Sequence, residues 1–146
     1  MTQEATYSVQ STSGVVMTPI VAGVVIYQDG KYLLVQEKQP KAYGLWNFPA
    51  GKVDIGNTIE QSAIREAKEE VGFDVELVKK IGVFQDTTST PAKHAFEAKI
   101  IGGELHVPED EILDAQWLTK SEIETMKEQL RDPWILGAIN TLEGTK

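Results

Sequence analysis

Residues 51–73 decide the fold of this chain, and they read GKVDIGNTIEQSAIREAKEEVGF. The first part of the stretch is a loop with two glycines, Gly51 and Gly56. The second part has apolar residues at every fourth position, which predicts an amphipathic helix over residues 58–71. The apolar stripe consists of Ile59, Ala63, Ala67 and Val71. Such a helix packs its apolar side against another element and leaves its other side toward solvent.

The ends of this predicted helix carry their own signals. Thr58 followed by Gln61 matches a capping box, in which each side chain bonds the backbone N–H of the other residue. Asn57 with Glu60 is a competing start one residue earlier. Gly72 is the expected end, because glycine adopts without steric cost the left-handed conformation that closes many helices.

Acidic side chains share one side of the predicted helix. Glu69 and Glu70 follow Glu66 by three and four residues, so the three side chains are neighbours on the helix surface. Carboxylates this close repel one another unless a cation lies among them, and hard oxygen ligands suit Mg²⁺ or Mn²⁺. The alternative is a solvated acidic face with an ion pair between Arg65 and Glu69.

The sequence on both sides of the helix predicts strands. Residues 20–27 are rich in Val and Ile, and the Asp29-Gly30 turn that follows predicts a hairpin. The predicted strands are 20–27, 32–36, 75–79, 81–86, 94–101 and 113–118, with short helices near Ser121 and after Asp132-Pro133. A mixed sheet with one capped helix and terminal helices indicates an α+β or mixed α/β sandwich, not a regularly alternating fold.

The composition excludes several classes of function. The chain has 146 residues and a formal net charge of −8, which argues against a general surface for nucleic-acid polymers because phosphate contacts need clustered Lys and Arg. The absence of cysteine excludes disulfides, thiolate zinc sites and cysteine nucleophiles. An acidic protein still binds phosphate groups when a metal ion lies between the two negative partners.

The length predicts one domain, which we place at residues 15–146. Residues 1–14 are rich in Ser, Thr and Gln and are expected to form a flexible N-terminal arm. An extra edge strand is the alternative, because Ala5, Tyr7 and Val9 alternate with polar residues. The sequence shows no secretory signal and no apolar stretch of membrane-spanning length, so a cytoplasmic protein is expected.

The 51–73 stretch resembles the signature of the Nudix hydrolase family. That signature is Gly, five residues, Glu, seven residues, Arg-Glu-aliphatic, one residue, Glu-Glu, one residue and Gly-aliphatic. The matching charged or glycine positions are Gly51, Arg65, Glu66, Glu69, Glu70 and Gly72. Asn57 replaces the first glutamate, and Ala67 and Phe73 depart mildly from the aliphatic positions. The flanking strand order is also similar, so the resemblance covers roughly residues 18–142.

The resemblance implies a Nudix fold, in which a mixed β-sheet is sandwiched between helices. It implies that water attacks a phosphorus of a pyrophosphate with the help of Mg²⁺, or of Mn²⁺ as the alternative. By the same resemblance, the helix glutamates bind the metal, one of them accepts the proton of water, and Arg65 orients them by pairing with Glu69. The implied metal ligands are Ala50 (through its carbonyl), Glu66, Glu69, Glu70 and Glu111. Glu111 is selected from the acidic loop 108–111, whose alternative explanation is a solvated loop.

The substrate class is indicated by a second likeness. Residues 44–51 read GLWNFPAG, and with Arg131-Asp132-Pro133 they are similar to a bacterial MutT-like branch of the family. That branch hydrolyses nucleoside di- and triphosphates and hydroxymethylpyrimidine pyrophosphate. The sequence thus predicts a small nucleotide or related pyrophosphate as substrate.

Four residues are candidates for binding that substrate. Trp46 and Phe48 could stack on a base, with packing in the core as the alternative for Phe48. Lys38 and Lys52 could meet phosphate as point charges, and solvated surface lysines are the alternative. Weaker candidates near the site are Tyr43, Phe84 and His94.

Together these features predict a Mg²⁺-dependent Nudix pyrophosphohydrolase. The rival interpretation is a Nudix-fold nucleotide-binding or regulatory module without hydrolysis, which the change at Asn57 favours. The expected partner is a small nucleotide or pyrophosphate, with no nucleic-acid polymer and no membrane. A homodimer is a further expectation, because the arm 1–14 could cross to a second copy.

Overall fold

A computed structural model describes residues 6–11 and 14–144 of the chain, with side chains described from residue 19 onward. Its strands are β1 (Thr6–Ser11), β2 (Gly14–Gln28), β3 (Lys31–Glu37), β4 (Trp46–Asn47), β5 (Ala50–Lys52), β6 (Phe73–Phe84), β7 (Ala92–Gly103) and β8 (Ile112–Leu118). Its α-helices are α1 (Ile59–Val71), α2 (Lys120–Thr125) and α3 (Trp134–Leu142). Within the described residues, no helix has the length and apolar character needed to cross a membrane.

The strands form one mixed sheet. Its main path runs β4-β3-β2-β7-β6, while β1 and β5 pair with β2, and β8 pairs with β3. The pairing of β2 with β7 is parallel, and the other pairings are antiparallel. This arrangement confirms the predicted α+β or mixed α/β fold class.

Hydrophobic cores cover both faces of the sheet. In β2, Ala22 and Val24 belong to one core and Val25 belongs to the other, because successive side chains of a strand point to opposite faces. The first core contains the apolar stripe of α1, and the second contains the apolar side of α3. The sheet is therefore sandwiched between helices.

The predicted boundaries of α1 are confirmed. The Thr58 side chain accepts a hydrogen bond from the Gln61 N–H, and the Gln61 side chain accepts one from the Thr58 N–H, which is the complete capping box. The helix does not begin at the competing cap, Asn57. Gly72 ends the helix in the left-handed region at φ 80°, and a Cβ there would overlap the Glu104 carbonyl.

Residues 6–11 of the expected N-terminal arm form strand β1, which pairs antiparallel with residues 14–19 of β2, where the sequence offered an edge strand as the alternative. The flexibility of the arm and the domain bounds stay predictions. Residues 1–5, 12 and 13 of the arm lie outside the described part of the chain. Residues 75–79 and 81–86, expected as two strands, belong largely to the single strand β6, and register shifts against β7 absorb the irregularity.

Candidate active site

One wall of the site is formed where α1 packs against β5. The apolar stripe of α1 faces the sheet, and the Glu66 carboxyl group lies against Gly51 in β5. A Cβ at position 51 would overlap the carboxyl group of Glu66. Gly51 is therefore needed because the Glu66 carboxylate lies directly on the backbone at that position.

Arg65 connects the helix to the loop that precedes it. Its NH1 lies 2.9 Å from Asp54 Oδ2, and its NH2 lies 3.0 Å from Glu66 Oε2. The same NH2 donates to the Lys52 carbonyl at 3.2 Å. The expected pair with Glu69 is present, but its 3.7 Å separation is the longest of the three ion pairs.

Glu70 is a partly buried carboxylate of the helix motif. Its Oε1 accepts a hydrogen bond from the Ala50 N–H at 3.2 Å, which joins the helix to β5. Burial raises the pKa of the Glu70 carboxyl well above its usual range, and the negative charge of Glu66 raises it further. The bond from Ala50 acts in the opposite direction. The contact of Ala50 seen here uses its N–H, and a metal-binding role for its carbonyl stays a prediction.

Glu66 has a similar electrostatic environment. Burial raises the pKa of its carboxyl group, Glu69 adds to the rise, and the hydrogen bond from Arg65 opposes it. Two neighbouring carboxyls with raised pKa values are stabilised when a cation approaches, because a positive charge favours their ionised forms. The donor set is thus suited to a hard divalent ion. In the described part of the chain, no three acidic or histidine side chains are grouped closely enough to hold a metal ion as they stand.

These groups line one open cleft of about 730 Å³. The predicted site residues that line it are Ala50, Lys52, Arg65, Glu66, Glu69, Glu70 and Glu111. The loop before β8 brings Glu111 to the cleft, although it lies 41 residues after Glu70 in the chain. The cleft also includes Gln39 and Asp54, which sequence reasoning did not single out.

The structure separates the predicted substrate-binding residues. Lys52 lies on the cleft, whereas Lys38 lines a neighbouring groove and donates from Nζ to the Glu109 carbonyl at 2.8 Å. Trp46 is half-buried and packs against the core beneath α3. Substrate contacts by Lys38 and Trp46 stay predictions.

Phe48 does not line the acidic cleft, and substrate stacking by its ring stays a prediction. Phe48 is fully buried in the core beneath α3. Its ring packs edge-to-face against the Trp134 ring, with the centroids 5.3 Å apart. It packs in the same way against the Tyr32 ring, with the centroids 6.5 Å apart. Its side chain therefore fills the core, which is the alternative that the sequence left open.

His94 lies on β7, away from the acidic cleft. Its Nδ1 lies 2.8 Å from Lys80 Nζ. Burial lowers the pKa of His94, and the positive charge of Lys80 lowers it further. These contacts fit a structural histidine.

Glu37 is a buried carboxylate that sequence analysis missed. It accepts from Asn47 Nδ2 at 3.3 Å and lies 3.5 Å from Arg131 NH1. Burial raises its pKa, while the charge of Arg131 lowers it. Its position at the end of β3 carried no periodic signal, because the partners come from β4 and from the segment before α3.

The sheet between two helical layers and the acidic cleft over α1 match a known domain class. A family model described as "NUDIX domain" matches residues 17–136. The chain therefore belongs to the Nudix family.

Individual relatives agree with this assignment. A Caenorhabditis elegans protein provisionally named nudix hydrolase 1 is 34% identical over 116 residues, which is 77% of this chain and 32% of that protein. A Bacillus subtilis (strain 168) protein, provisionally named an 8-oxo-dGTP diphosphatase, is 32% identical over 100 residues, which is 68% of this chain and 65% of that protein. The chain thus spans about a third of the length of the Caenorhabditis elegans protein and just under two thirds of the length of the Bacillus subtilis protein.

A solved structure supports the fold. The NUDIX hydrolase from Nitrosomonas europaea is 26% identical and superposes with a TM-score of 0.78. The match covers 88% of this chain and 90% of that one. The arrangement of sheet and helices is therefore that of Nudix proteins over nearly the whole described chain.

Proposed function

We propose that this protein hydrolyses a pyrophosphate bond in a nucleoside di- or triphosphate, or in a related small pyrophosphate, with the help of a divalent metal ion. The observation that carries the proposal is the cleft itself. It combines the helix glutamates Glu66, Glu69 and Glu70 with Arg65 on the Nudix motif of a Nudix domain. Residues 15–146 form the single catalytic domain of this proposal.

Mg²⁺ is the proposed ion, with Mn²⁺ as the alternative. Glu66, Glu69 and Glu70 would hold it, with Glu111 and the Ala50 carbonyl as further ligands. When bound, such an ion neutralises phosphate charge and lowers the pKa of water. The raised pKa values of Glu66 and Glu70 support this assignment, because both groups gain from a nearby positive charge.

The protein's own residues have distinct tasks in this proposal. Arg65 holds the Glu66 carboxylate over Gly51, so that this ligand is oriented before substrate arrives. The Ala50 N–H fixes one oxygen of Glu70. Each of the three helix glutamates remains a candidate for accepting the proton of the attacking water, and Lys52 on the cleft would meet a substrate phosphate.

Nucleotides are the proposed substrate class for two reasons. The Bacillus subtilis relative takes its provisional name from a modified nucleoside triphosphate. The net charge of −8 disfavours long polyanions, whereas a small phosphate ester can approach through a bound cation. A cytoplasmic location and a homodimer belong to the same proposal, and gel filtration with light scattering tests the dimer.

The proposal is tested by measuring phosphate and pyrophosphate release with Mg²⁺. The panel holds nucleoside di- and triphosphates, dinucleoside polyphosphates, ADP-sugars and pyrimidine pyrophosphates. We expect turnover of at least one compound, its loss in EDTA, and a fall of about 10²-fold or more in Glu70→Gln. If every compound is inert while one stabilises the protein thermally, the protein is a nucleotide-binding module and hydrolysis is wrong.

A further inference from the structure

Arg65 forms ion pairs with three carboxylates. Its guanidinium contacts carboxylates of Asp54, Glu66 and Glu69, and it also bonds the Lys52 carbonyl. The bond to Asp54, at 2.9 Å, is the shortest of these. Asp54 and Arg65 are only 21% and 30% exposed at their side chains, so their attraction is less screened than that of an open surface pair.

Asn57 takes no comparable part. It is exposed, and the contact it makes in the described structure is from its backbone N–H to the Asp54 carbonyl at 3.1 Å. This loop therefore carries the neutral Asn57 at the position where the family signature has glutamate. Three residues earlier, the same loop carries an acid, Asp54. That acid reaches the arginine of the motif.

We propose that Asp54 is a positioning residue that supplies to Arg65 the negative charge that Asn57 lacks. Asp54 fixes one edge of the guanidinium, and Arg65 in turn holds the Glu66 carboxylate at 3.0 Å. The chain of contacts ends at Gly51, where Glu66 lies on the backbone. Asp54 thus acts on the candidate metal ligand through Arg65 and touches no reacting atom.

Asp54 holds Arg65 from a position three residues before the neutral Asn57. A guanidinium is planar and presents its N–H donors in a fixed fork, so fixing one edge also orients the other. The extended Arg65 side chain would otherwise distribute itself between Glu66 and Glu69, which lie on different turns of α1. With Asp54 in place, the geometry at Glu66 needs no acid at position 57.

The first test observes the Arg65 guanidinium directly. The chain has two arginines, Arg65 and Arg131, so ¹⁵N-detected NMR of the guanidinium groups gives two sets of signals, assigned with Arg131→Lys. In the wild type, we expect the Arg65 NηH signals to be split by slow rotation. In Asp54→Asn they should merge and shift, whereas Asn57→Glu should leave them split. Glu60→Gln is the matched control, because Glu60 is an exposed acid in the same region.

The second test measures the consequence for metal binding, and this arm rests on the proposed function. Mn²⁺ affinity is measured by EPR of the free ion for the wild type, Asp54→Asn, Arg65→Gln and the double variant. We expect Asp54→Asn to weaken Mn²⁺ binding and to lower kcat by about 10–100-fold each. In the Arg65→Gln background, Asp54→Asn should change the Mn²⁺ affinity and kcat by less than about twofold each. The effects of two substitutions are not additive when one residue acts through the other.

The outcomes separate the two proposals. Unchanged Arg65 signals in Asp54→Asn overturn the positioning role, as does a full effect of Asp54→Asn on Mn²⁺ binding in the Arg65→Gln background. A wild type that neither binds Mn²⁺ nor hydrolyses any compound refutes the proposed function, while the NMR result still decides whether Asp54 holds Arg65. Thermal melting of every variant ensures that a loss is not a failure to fold.

Discussion

Gly51 and Glu66 illustrate how a single residue controls the site. The Glu66 carboxyl group occupies the space that any Cβ at position 51 would need. The sequence motif marks this glycine, but only the folded backbone shows which atoms exclude a side chain there.

Gly51→Ala should therefore displace Glu66 and leave the fold intact. We expect a fall of about 10²-fold in kcat, since a displacement of about 1 Å in a catalytic group has effects of this size. Steady-state kinetics with Mg²⁺ measures the loss. Gly82→Ala is the matched control, because a Cβ at position 82 makes only ordinary contacts of 3.7 Å with Phe84. Equal activity of Gly51→Ala and wild type would contradict the contact.

Glu70 gives a prediction about pH and stability. Its folded-state pKa is raised above the unfolded value, so its contribution to stability is fully present below about pH 4.5, the unfolded pKa, and is lost as pH rises through the folded pKa. In EDTA near pH 7, Glu70→Gln should therefore be more stable than the wild type and unfold at a higher urea concentration. The gain should shrink toward pH 4.5.

Urea unfolding at a series of pH values in EDTA measures this difference. Gln at position 70 retains an oxygen that can accept the Ala50 N–H, so the comparison isolates the ionisation. Glu124→Gln, at an exposed site in α2, serves as the control for the loss of one negative charge. A constant difference between wild type and Glu70→Gln across the pH range would contradict the prediction.

At the scale of elements, α1 could be predicted closely and the sheet only in outline. The helix signals lie within a few residues of one another, because a cap, an apolar stripe and a terminal glycine are all local. Strand β6 was less predictable, since its register shifts are set by its partner β7. Strand β1 was expected only as the alternative to a flexible arm, and its pairing partner is residues 14–19 of β2.

The capping box of α1 predicts an effect on stability separate from catalysis. Thr58→Ala should lower the free energy of unfolding by about 1 kcal/mol, because the Gln61 N–H loses its acceptor. The glutamates lie two or more turns further along, so activity at 20 °C should stay within about twofold. Urea unfolding and kinetics measure the two quantities. Thr119→Ala, in the capping box of α2, is the matched comparison and should leave activity equally unaffected.

At the scale of the whole molecule, the two cores divide the aromatic residues. Phe48 belongs to the core beneath α3, although the sequence placed it beside the site as a stacking candidate. Its neighbours in the motif, Pro49 and Ala50, lead directly into β5. Trp46 and Ala50 pack against the same core, so the segment 46–50 packs on the α3 side of the sheet.

Phe48→Leu should destabilise the protein without changing substrate affinity. We expect a loss of about 1–3 kcal/mol in the free energy of unfolding, because a cavity opens against Trp134 and Tyr32. KM of the folded enzyme should be unchanged within about twofold. Urea unfolding and steady-state kinetics test this, with the exposed Tyr43→Ala as a control for stability. A large rise in KM would restore a role in binding.

The sequence by itself determined the helix α1, its caps, the acidic side it presents and membership of the Nudix class, because all of these depend on residue types at short, regular spacing. Only the tertiary structure decided that Glu111 reaches the cleft, that Phe48 lies in the core and that Asp54 forms the shortest ion pair with Arg65. These contacts join loops and strands that are distant in the chain or irregular in backbone. Their geometry depends on how the loops close over the packed sheet, and no local pattern of residues encodes that closure.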